Sequence, residues 1–371
     1  MNKINSPLYY AEAAAETIMN RFPPALLPPV YKLSYHHGIF YSGMLRTYFY
    51  NGNEKYLSYV KERCEMQIDS RGNIRNEENT RELDDLQPGI ILLYLYNKTH
   101  DERYKAAADS FAEAIKRWPV NSACGFWHKN YMPDQMWLDA LYMLCPFCAE
   151  YAKLFGDESL LDIAIGQIKL TWEHTYDEKT GLPVHGWDAS RRAEWADTET
   201  GKAPEFWGRS ISWIGVAITD VLGFMPENHP KRSYLCELLK KYMSAVVRYQ
   251  TKNGLWFQVV NKGHEKGNWE ETSCACLFVY AMLKGMRLGI LPAEYEKYAF
   301  KGYAGVLSRA EINGSVLSLG GVCVGTGIGS YDYYIGRETS SGDLHGMGAF
   351  MLMCTQMQDY TAEKEKSGNA R

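Results

Sequence analysis

The sequence predicts an all-α fold, an (α/α)6 barrel of six helical hairpins, on three observations. Apolar residues recur with the 3.6-residue period of helices along the whole chain, whereas alternating strand patterns are few and short. Short segments rich in Gly, Pro, Asn and Asp separate these stretches. A glycine followed within two positions by an apolar or aromatic residue recurs at Gly72, Gly125, Gly181, Gly254 and Gly314, at intervals of 53, 56, 73 and 60 residues. Each interval fits two helices and their connections.

Twelve helices are predicted from the periodicity. In chain order they lie at 7–21, 36–50, 54–68, 84–97, 101–117, 135–155, 157–174, 206–225, 231–251, 270–288, 293–308 and 343–359. Pro88 suits the first turn of the fourth helix, where proline removes no hydrogen bond. The recurring glycines are expected to close helices, so that successive helices pair as hairpins.

Six hairpins can stack as an open solenoid or close into a ring. Solenoid repeats usually show a tighter period and polar terminal caps. The sequence shows neither. Closure is therefore favoured, with one domain spanning 1–371.

The composition excludes several classes of protein. The 371 residues are 46% hydrophobic and 13% aromatic, enough for a large core. A net charge of -4 and a pI near 6.2, without basic runs, argue against nucleic acid as a partner. No run reaches the ~18 apolar residues of a membrane span, and Glu12 and Glu16 interrupt any apolar leader. We expect a monomer or weak homodimer in the cytoplasm, with no membrane as partner.

The nine cysteines indicate reduced, mostly buried thiols rather than a disulfide framework. Cys145 and Cys148 have the spacing of a thioredoxin-type redox pair. They lie within an apolar helical run, which favours core packing over redox chemistry. A second Cys pair and an HExxH motif are both missing, so the sequence predicts no metal site.

Polar and aromatic clusters stand near the start of every second predicted helix. They are Tyr35–His37, Leu83–Gln87, His128–Asp139, Glu205–Arg209, Asn268–Thr272 and Asp343–Gly346. In a barrel of hairpins these starts share one rim. The candidate ligand-binding residues there include His36, His345, Trp137, Trp207, Trp213 and Trp269. Aromatic faces beside carboxylates and histidines suit a sugar, whose faces stack and whose hydroxyls hydrogen-bond.

Asp139 is the candidate general acid. It stands where a helix begins, among Trp137, Leu138, Leu141 and Tyr142. Apolar neighbours disfavour a charged carboxylate, so its pKa is expected to be raised enough to hold a proton near neutral pH. The alternative is an Asp that faces a polar partner or water.

Other polar residues have structural alternatives of comparable weight. Either Asp84 or Asp85 can cap a helix or bind a ligand. His128 and Lys129 lie in a loop, where a solvated pair competes with a functional one. His185, in a glycine-rich loop, is a functional candidate or a hydrogen-bonded structural histidine.

Two further segments remain open at this point. Glu205, Arg209 and Trp213 are spaced to share one helix face, where a simple Glu–Arg pair explains two of the three. The glycine-rich stretch 320–330 lacks a Walker lysine and a dinucleotide-binding context, although its backbone amides can approach a ligand closely.

Nine segments distributed along nearly the whole chain carry a family resemblance. They are YHHG (35–38), ELDDLQPG (82–89), GFWHK (125–129), QMWLDALYM (135–143), GLPVHGWD (181–188), EFWGRSISW (205–213), RYQTKNGLWFQVV (248–260), CVGTGIGSYDYY (323–334) and DLHGMGAF (343–350). Together they resemble the unsaturated rhamnogalacturonyl hydrolases of glycoside hydrolase family 105. The chain departs from the family pattern at His37, at Asp85 and between His128 and Gln135, which affects the expected substrate preference rather than the reaction class.

The resemblance implies an (α/α)6 barrel that hydrates the C4=C5 double bond of an unsaturated galacturonyl residue. Asp139 would protonate C4, and water would add at C5. The resulting hemiketal would open and expel rhamnose or a longer oligosaccharide. Asp84 would hold sugar hydroxyls or position the water, which His185 could assist. The implied subsite residues are Tyr35, His128, Lys129, Met132, Arg209, Trp213, Thr326 and Gly327, with Arg209 or Lys129 opposite the uronate carboxylate. The scheme needs no cofactor and no metal.

Three rival functions fit parts of the same evidence. A family 88-type unsaturated glucuronyl hydrolase would act on glycosaminoglycan fragments. A sugar 2-epimerase would use two rim histidines as acid and base, with His128 and either His185 or His345 available. A non-catalytic glycan-binding barrel would bind without turnover. The expected partner in the leading hypothesis is an unsaturated uronyl oligosaccharide, such as the rhamnogalacturonan disaccharide.

Overall fold

Twelve long helices alternate between an inner and an outer ring in the computed structural model, which describes residues 6–75 and 80–368. In chain order the helices are α1 (Pro7–Arg21), α2 (Tyr35–Asn51), α3 (Glu54–Glu65), α4 (Gly89–Thr99), α5 (Glu102–Lys116), α6 (Ala140–Phe155), α7 (Glu158–Thr175), α8 (Gly208–Phe224), α9 (Arg232–Val246), α10 (Thr272–Arg287), α11 (Glu296–Leu307), the one-turn α12 (Tyr331–Ile335) and α13 (Leu344–Gly368). Helices α2, α4, α6, α8, α10 and α13 form the inner ring, which α13 closes by packing on α2. The predicted (α/α)6 barrel is confirmed.

The inner helices are apolar around most of their circumference because they have neighbours on both sides and the outer ring behind them. In α8 every residue from 208 to 222 is buried. In α6 the pattern extends across Cys145 and Cys148, which are free and fully buried thiols. Burial raises the pKa of both thiols, as expected for core packing and not for a redox pair.

The fourth and sixth helices begin later than predicted. Helix α4 starts at Gly89 and α6 at Ala140, each five residues after the predicted start. The intervening backbone pairs with other loops: Leu83 N–H donates to the His128 carbonyl at 3.0 Å, and 135–137 form a strand. Hydrogen bonds to a distant loop thus replace the first turn of each predicted helix.

The recurring glycines do not close helices, contrary to the prediction. They lie in turns several residues beyond the outer helices, and Gly72, Gly181, Gly254 and Gly314 have positive φ there. Gly52 and Gly156 are the left-handed residues that end α2 and α6. The repeat therefore marks the loops that lead from each outer helix towards the next inner helix.

Short antiparallel pairings join these loops at the rim. The strands of the described ranges are β1 (Gln135–Trp137), β2 (Gly186–Asp188), β3 (Trp256–Phe257), β4 (Glu270–Glu271), β5 (Ala310–Asn313), β6 (Val316–Leu319), β7 (Val322–Cys323) and β8 (Thr339–Ser340), paired in four two-stranded sheets. Single bridges such as Glu82 with Lys129 and Trp207 with Val259 add further links. None of the described helices has the length and apolarity needed to cross a bilayer.

The ring closes where glycine allows two helices to touch. A Cβ on Gly348 of α13 would lie 2.6 Å from the Ile39 carbonyl carbon and the Phe40 nitrogen of α2. Backbone atoms cannot move aside as side chains can, so only glycine fits without shifting a helix.

Gly348→Ala should therefore lower the free energy of unfolding by about 1–3 kcal/mol, the usual cost of overpacking. Gly166→Ala on the outer helix α7 is the matched control, because nothing lies within 4 Å of its added Cβ. Alanine there should stabilise the helix by about 0.5–1 kcal/mol. Urea unfolding of both variants checks this, and equal midpoints would contradict the tight α2–α13 contact.

Candidate active site

A cavity of about 330 Å³ opens at the rim that carries the start of each inner helix. Its walls combine aromatic rings, two carboxyl groups and two cationic side chains. The lining residues are Tyr35, His36, Asp84, His128, Lys129, Trp137, Asp139, Met143, Trp207, Arg209, Trp213, Gly325, Thr326 and Gly327. Most of the sequence-predicted candidates thus meet in one place.

Strand pairing sets Asp139 beside His185. In the β1–β2 register Trp137 lies opposite Gly186, and Leu138 N–H donates to the His185 carbonyl at 3.0 Å. This pairing brings the side chains of His185 and Asp139 together, with His185 Nε2 3.1 Å from Asp139 Oδ2. Asp139 directly precedes α6, so its carboxylate stands at a helix N-terminus, where negative charge is favoured.

A second loop pairing brings Asp84 to the same cavity. Leu83 and Glu82 pair with His128 and Lys129, which leaves Asp84 Oδ1 3.7 Å from His128 Nε2. That oxygen is buried, and no described atom forms a hydrogen bond with it. Asp84 therefore presents to the cavity a carboxyl oxygen that has no donor among the described residues.

The neighbouring Asp85 has a structural role. Its carboxylate accepts hydrogen bonds from Lys32 Nζ at 2.6 Å and from the Arg81 backbone N–H at 3.0 Å. It is buried and does not line the cavity. Of the two neighbouring aspartates, Asp85 therefore has the structural role, and Asp84 is the one available to a ligand.

The expected raised pKa of Asp139 is wrong, and the raised value belongs to Asp84. Burial alone would raise the pKa of Asp139, but the hydrogen bond from His185 and the charge of Arg209 lower it below its usual value. Burial, reinforced by the charge of Asp139, raises the pKa of Asp84 to about 8. The apolar surroundings of Asp139 predicted from the sequence are present, but the hydrogen bond from His185 has the larger effect on its pKa.

The rim histidines are held neutral by burial. Burial lowers the pKa of His128 and of His36 to about 3 in each case. The His128 ring stacks on Trp137 with centroids 4.4 Å apart and planes 16° apart. The His36 ring packs on that of Tyr35 with centroids 3.9 Å apart and planes tilted by 38°. Both histidines extend the aromatic wall instead of supplying charge.

Arg209 is anchored from behind the cavity. Its guanidinium donates to the carbonyls of Cys323 and Val324, the latter at 2.8 Å, and lies 2.8 Å from His345 Nε2. It also lies 4.5 Å from the Trp207 ring centroid, within cation–π range. The cation is fixed with one face towards the cavity.

The predicted Glu205–Arg209 helical pair is not formed. Helix α8 begins only at Gly208, and Glu205 pairs instead with Lys262 Nζ at 2.7 Å. Arg209 and Trp213 do share the cavity-facing side of α8. The shared-face prediction is right for these two residues and wrong for Glu205.

Lys129 is the second cation of the cavity. Its Nζ lies 2.9 Å from Glu82 Oε2 and 5.6 Å from the Trp137 ring centroid. Burial alone would lower its pKa, but the hydrogen bond and charge of Glu82 raise it. Lys129 therefore stays charged at the cavity wall.

Besides Asp85 and Glu205, four predicted residues do not line the cavity. Trp269 is half-buried, and its indole N–H donates to the Ile335 carbonyl at 3.1 Å. Met132 is half-buried and is not among the lining residues. His345 lies behind Arg209, fully buried. His185 lies behind Asp139, also fully buried.

Met143, Gly325 and Tyr334 are site residues that sequence reasoning did not single out. Met143 and Gly325 line the cavity, and the Tyr334 hydroxyl lies 2.7 Å from His185 Nδ1. The sequence separation of 149 residues between Tyr334 and His185 leaves no local pattern that would reveal the contact.

One group of side chains among the described residues could hold a metal ion. Ligand atoms of His36, Asp343 and His345 all lie within 4.8 Å of one another. His345 Nδ1, however, is already 2.6 Å from Asp343 Oδ1, and its Nε2 is 2.8 Å from the Arg209 guanidinium. The guanidinium charge opposes a cation there, and the arrangement suits a support for Arg209.

The sequence and the fold both have known relatives. The profile of Glycosyl Hydrolase Family 88 matches residues 10–361. A family 105 glycoside hydrolase from C. acetobutylicum ATCC 824 is similar in structure, with a TM-score of 0.89 and 31% identity over 94% of this chain and 99% of that one.

Two curated proteins are also similar. The unsaturated rhamnogalacturonyl hydrolase YesR of Bacillus subtilis (strain 168) is 22% identical over 320 residues, which span 83% of this chain and 85% of that protein. A 24.9 kDa protein of the picA locus in Rhizobium radiobacter is 32% identical over 222 residues, which span 56% of this chain and 94% of that protein.

The two carboxyl groups should affect stability in opposite directions. A pKa raised on folding means that the folded protein retains a proton that the unfolded chain releases, so stability falls as pH rises from about 4 to 8. Asp84→Asn should remove this cost and stabilise the protein at pH 8, by on the order of a few kcal/mol, with the gain vanishing towards pH 4.

Asp139→Asn is the matched comparison. A lowered pKa contributes stability above the unfolded value and loses it as pH falls through the folded value, so this variant should be less stable than wild type at neutral pH. Thermal unfolding across this pH range measures both variants. Shifts of the same sign would contradict the electrostatic assignment.

Proposed function

Because the chain belongs to glycosyl hydrolase family 88, with a family 105 enzyme among its structural relatives, we propose that it hydrates the C4=C5 double bond of an unsaturated uronyl residue. The residue would stand at the non-reducing end of an oligosaccharide. The observation that carries this proposal is the pair of carboxyl groups, Asp84 and Asp139, in one cavity with anchored cations and aromatic walls.

The chemistry requires one proton donor and one proton acceptor. A proton adds to C4, the double bond supplies the electron pair, and the ring oxygen stabilises the positive charge at C5. Water then adds to C5 and loses a proton. The hemiketal opens and releases the aglycone and a 4-deoxy-5-keto-uronate. Two carboxyl groups with pKa values displaced in opposite directions suit these two roles.

The remaining cavity residues fit the substrate's other groups. The cationic side chains of Arg209 and Lys129 can bind the uronate carboxylate. The rings of Trp137, Trp207 and Trp213 offer apolar faces to the sugar, and the loop 325–327 offers backbone groups. Tyr35, His36 and His128 complete the wall.

We propose rhamnose as the sugar released, from fragments of rhamnogalacturonan. The support is the similarity to the rhamnogalacturonyl hydrolase YesR and to the family 105 structure. The alternative is a glycosaminoglycan fragment, because the matched profile is that of family 88 itself. Incubation with unsaturated rhamnogalacturonan disaccharide and unsaturated chondroitin disaccharide, each followed by loss of the ultraviolet absorbance of the conjugated uronate, distinguishes the two.

The epimerase reading is less well supported. It needs histidines that exchange protons near neutral pH, whereas burial holds the pKa of His128 at about 3. His345 is hydrogen-bonded behind Arg209 and does not reach the cavity. The residues of the cavity therefore fit a hydrolase better than they fit an epimerase.

Asp139→Asn should remain folded and lose about 100- to 10,000-fold in turnover, the usual contribution of a general acid or base. Steady-state rates on the unsaturated disaccharide measure this. Near-wild-type turnover would remove Asp139 from the reaction. Retained substrate affinity without any turnover in the wild type would instead favour the non-catalytic glycan-binding barrel.

Lys129→Met should weaken ground-state binding while it keeps the apolar stem against Trp137. We expect KM to rise about 10- to 100-fold with a smaller change in kcat, as a charge-assisted hydrogen bond to the carboxylate is lost. The exposed Lys169 on α7 gives the control variant Lys169→Met. Equal KM values for the two variants would exclude Lys129 from carboxylate binding.

A further inference from the structure

We infer that the substrate is an oligosaccharide longer than a disaccharide, and that a second cavity beside the active site binds its far end, with Arg21 holding an acidic sugar. The inference rests on the proposed function and names the class of substrate which that function would use. The second cavity has a volume of about 540 Å³. Its lining includes Arg21, Phe22, Tyr31, His36, Ser341 and Asp343.

The second cavity adjoins the active-site cavity at His36. The side chain of His36 lines both cavities. A cavity on the outer helix α3 and another beside Arg46 and Tyr94 share no lining residue with the active-site cavity. A substrate that fills the active-site cavity can therefore continue past His36 into the second cavity.

The active-site cavity is too small for a whole oligosaccharide. Its volume of about 330 Å³ lies near the lower limit of ligand pockets, which is about 300 Å³. The unsaturated uronyl residue takes up most of that space, so the sugars beyond the cleaved bond need another surface. The second cavity is the larger of the two and has room for them.

The proline-rich loop 22–34 forms one wall of the second cavity and is fixed from behind. The Arg63 guanidinium donates to three carbonyls of the loop at 3.1–3.3 Å. His37 Nε2 lies 3.2 Å from the Leu27 carbonyl oxygen. Both Arg63 and His37 are fully buried. A loop held in this way needs little ordering when a ligand binds, and affinity is not lost to that ordering.

Two aromatic side chains of this loop suit a sugar. Tyr31 is 70% exposed although it lines the cavity, so its ring is available for stacking. Phe22 lies under Arg21, whose guanidinium carbon is 5.0 Å from the Phe22 ring centroid. This cation–π contact holds the guanidinium at the cavity wall.

The turn between β8 and α13 forms another wall and offers groups that bind hydroxyls. Asp343 Oδ1 lies 2.6 Å from His345 Nδ1 and accepts the His345 backbone N–H at 3.1 Å. Both contacts involve Oδ1, so Oδ2 is available to a sugar hydroxyl. Ser341 adds an exposed hydroxyl group. Aromatic faces together with such polar groups are typical of a carbohydrate site.

Arg21 is the residue that selects an acidic sugar. It ends α1, and its Nη1 would lie 3.5 Å from a Cβ on Gly342, so the guanidinium reaches the turn before α13. Within the described part of the chain, the Arg21 guanidinium meets no hydrogen-bond acceptor. An arginine without an internal acceptor can bind a carboxylate through two parallel hydrogen bonds. In a chain where uronates and neutral sugars alternate, such as rhamnogalacturonan, the sugar after the released rhamnose carries that carboxylate.

Steady-state kinetics on an unsaturated rhamnogalacturonan disaccharide and the corresponding tetrasaccharide test the inference. In the wild type, KM for the tetrasaccharide should be about 10-fold or more below KM for the disaccharide, because a charge-assisted hydrogen bond is gained. Arg21→Gln should abolish most of this difference. The kcat values should change little, since Arg21 does not line the cavity in which the reaction takes place.

Arg117→Gln is the matched control. Arg117 ends the outer helix α5 as Arg21 ends α1, and its guanidinium donates to the Glu113 carbonyl outside both cavities. This variant should keep the wild-type ratio of the two KM values. Tyr31→Ser removes an exposed ring without opening the core, and it should raise KM for the tetrasaccharide about 3- to 10-fold relative to that for the disaccharide.

Equal KM values for the two oligosaccharides in the wild type, or an unchanged ratio in either cavity variant, would overturn the inference. Failure of the proposed function would be seen separately, as wild-type protein that consumes neither oligosaccharide. In that case calorimetric titration with the intact tetrasaccharide still tests the second cavity. Weaker binding by Arg21→Gln than by Arg117→Gln would support it, and equal affinities would overturn it.

Discussion

The contact between α13 and α2 is the constraint on which the rest of the structure depends. These helices lie at opposite ends of the chain, and glycine at 348 lets one backbone touch the other. With the ring closed, the starts of six inner helices share one rim. Every side chain of the cavity comes from one of those starts or from a loop beside it.

Backbone pairing between loops then refines positions that helix packing sets only coarsely. The β1–β2 ladder aligns Asp139 with His185, and the pairing of 82–83 with 128–129 places Asp84 across the cavity. Such hydrogen bonds satisfy backbone groups that would otherwise be buried unpaired near the barrel mouth. They also fix the geometry of groups that must act together within a few ångströms.

Several groups at the same rim carry an electrostatic cost. Asp84 keeps one buried carboxyl oxygen without a donor among the described residues, and burial holds His36 and His128 neutral. Other carboxylates at the rim accept several hydrogen bonds. Glu271, for example, accepts from the backbone of Ser273, Cys274 and Cys323. The contrast separates groups that build the site from groups left available to a substrate.

The sequence by itself determined the fold class, the number of long helices and the rim on which the site lies. The helical period and the turn residues that separate helices are local properties of the sequence. In a ring of hairpins, the start of every second helix lies on the same rim. The motif at 135–143 likewise predicted that Asp139 would belong to this rim, and Asp139 lines the cavity. Only the tertiary structure decided that Asp85 is bonded to Lys32 while Asp84 faces the cavity, and that Glu205 pairs with Lys262.

Tertiary structure also decided the ionisation of the carboxyl pair. The apolar neighbours of Asp139 are visible in sequence, whereas its partner His185 is 46 residues away and Tyr334 a further 149. A pKa depends on every charge and donor within a few ångströms, whatever their separation along the chain. Local sequence therefore located the group, and long-range hydrogen bonds set its charge.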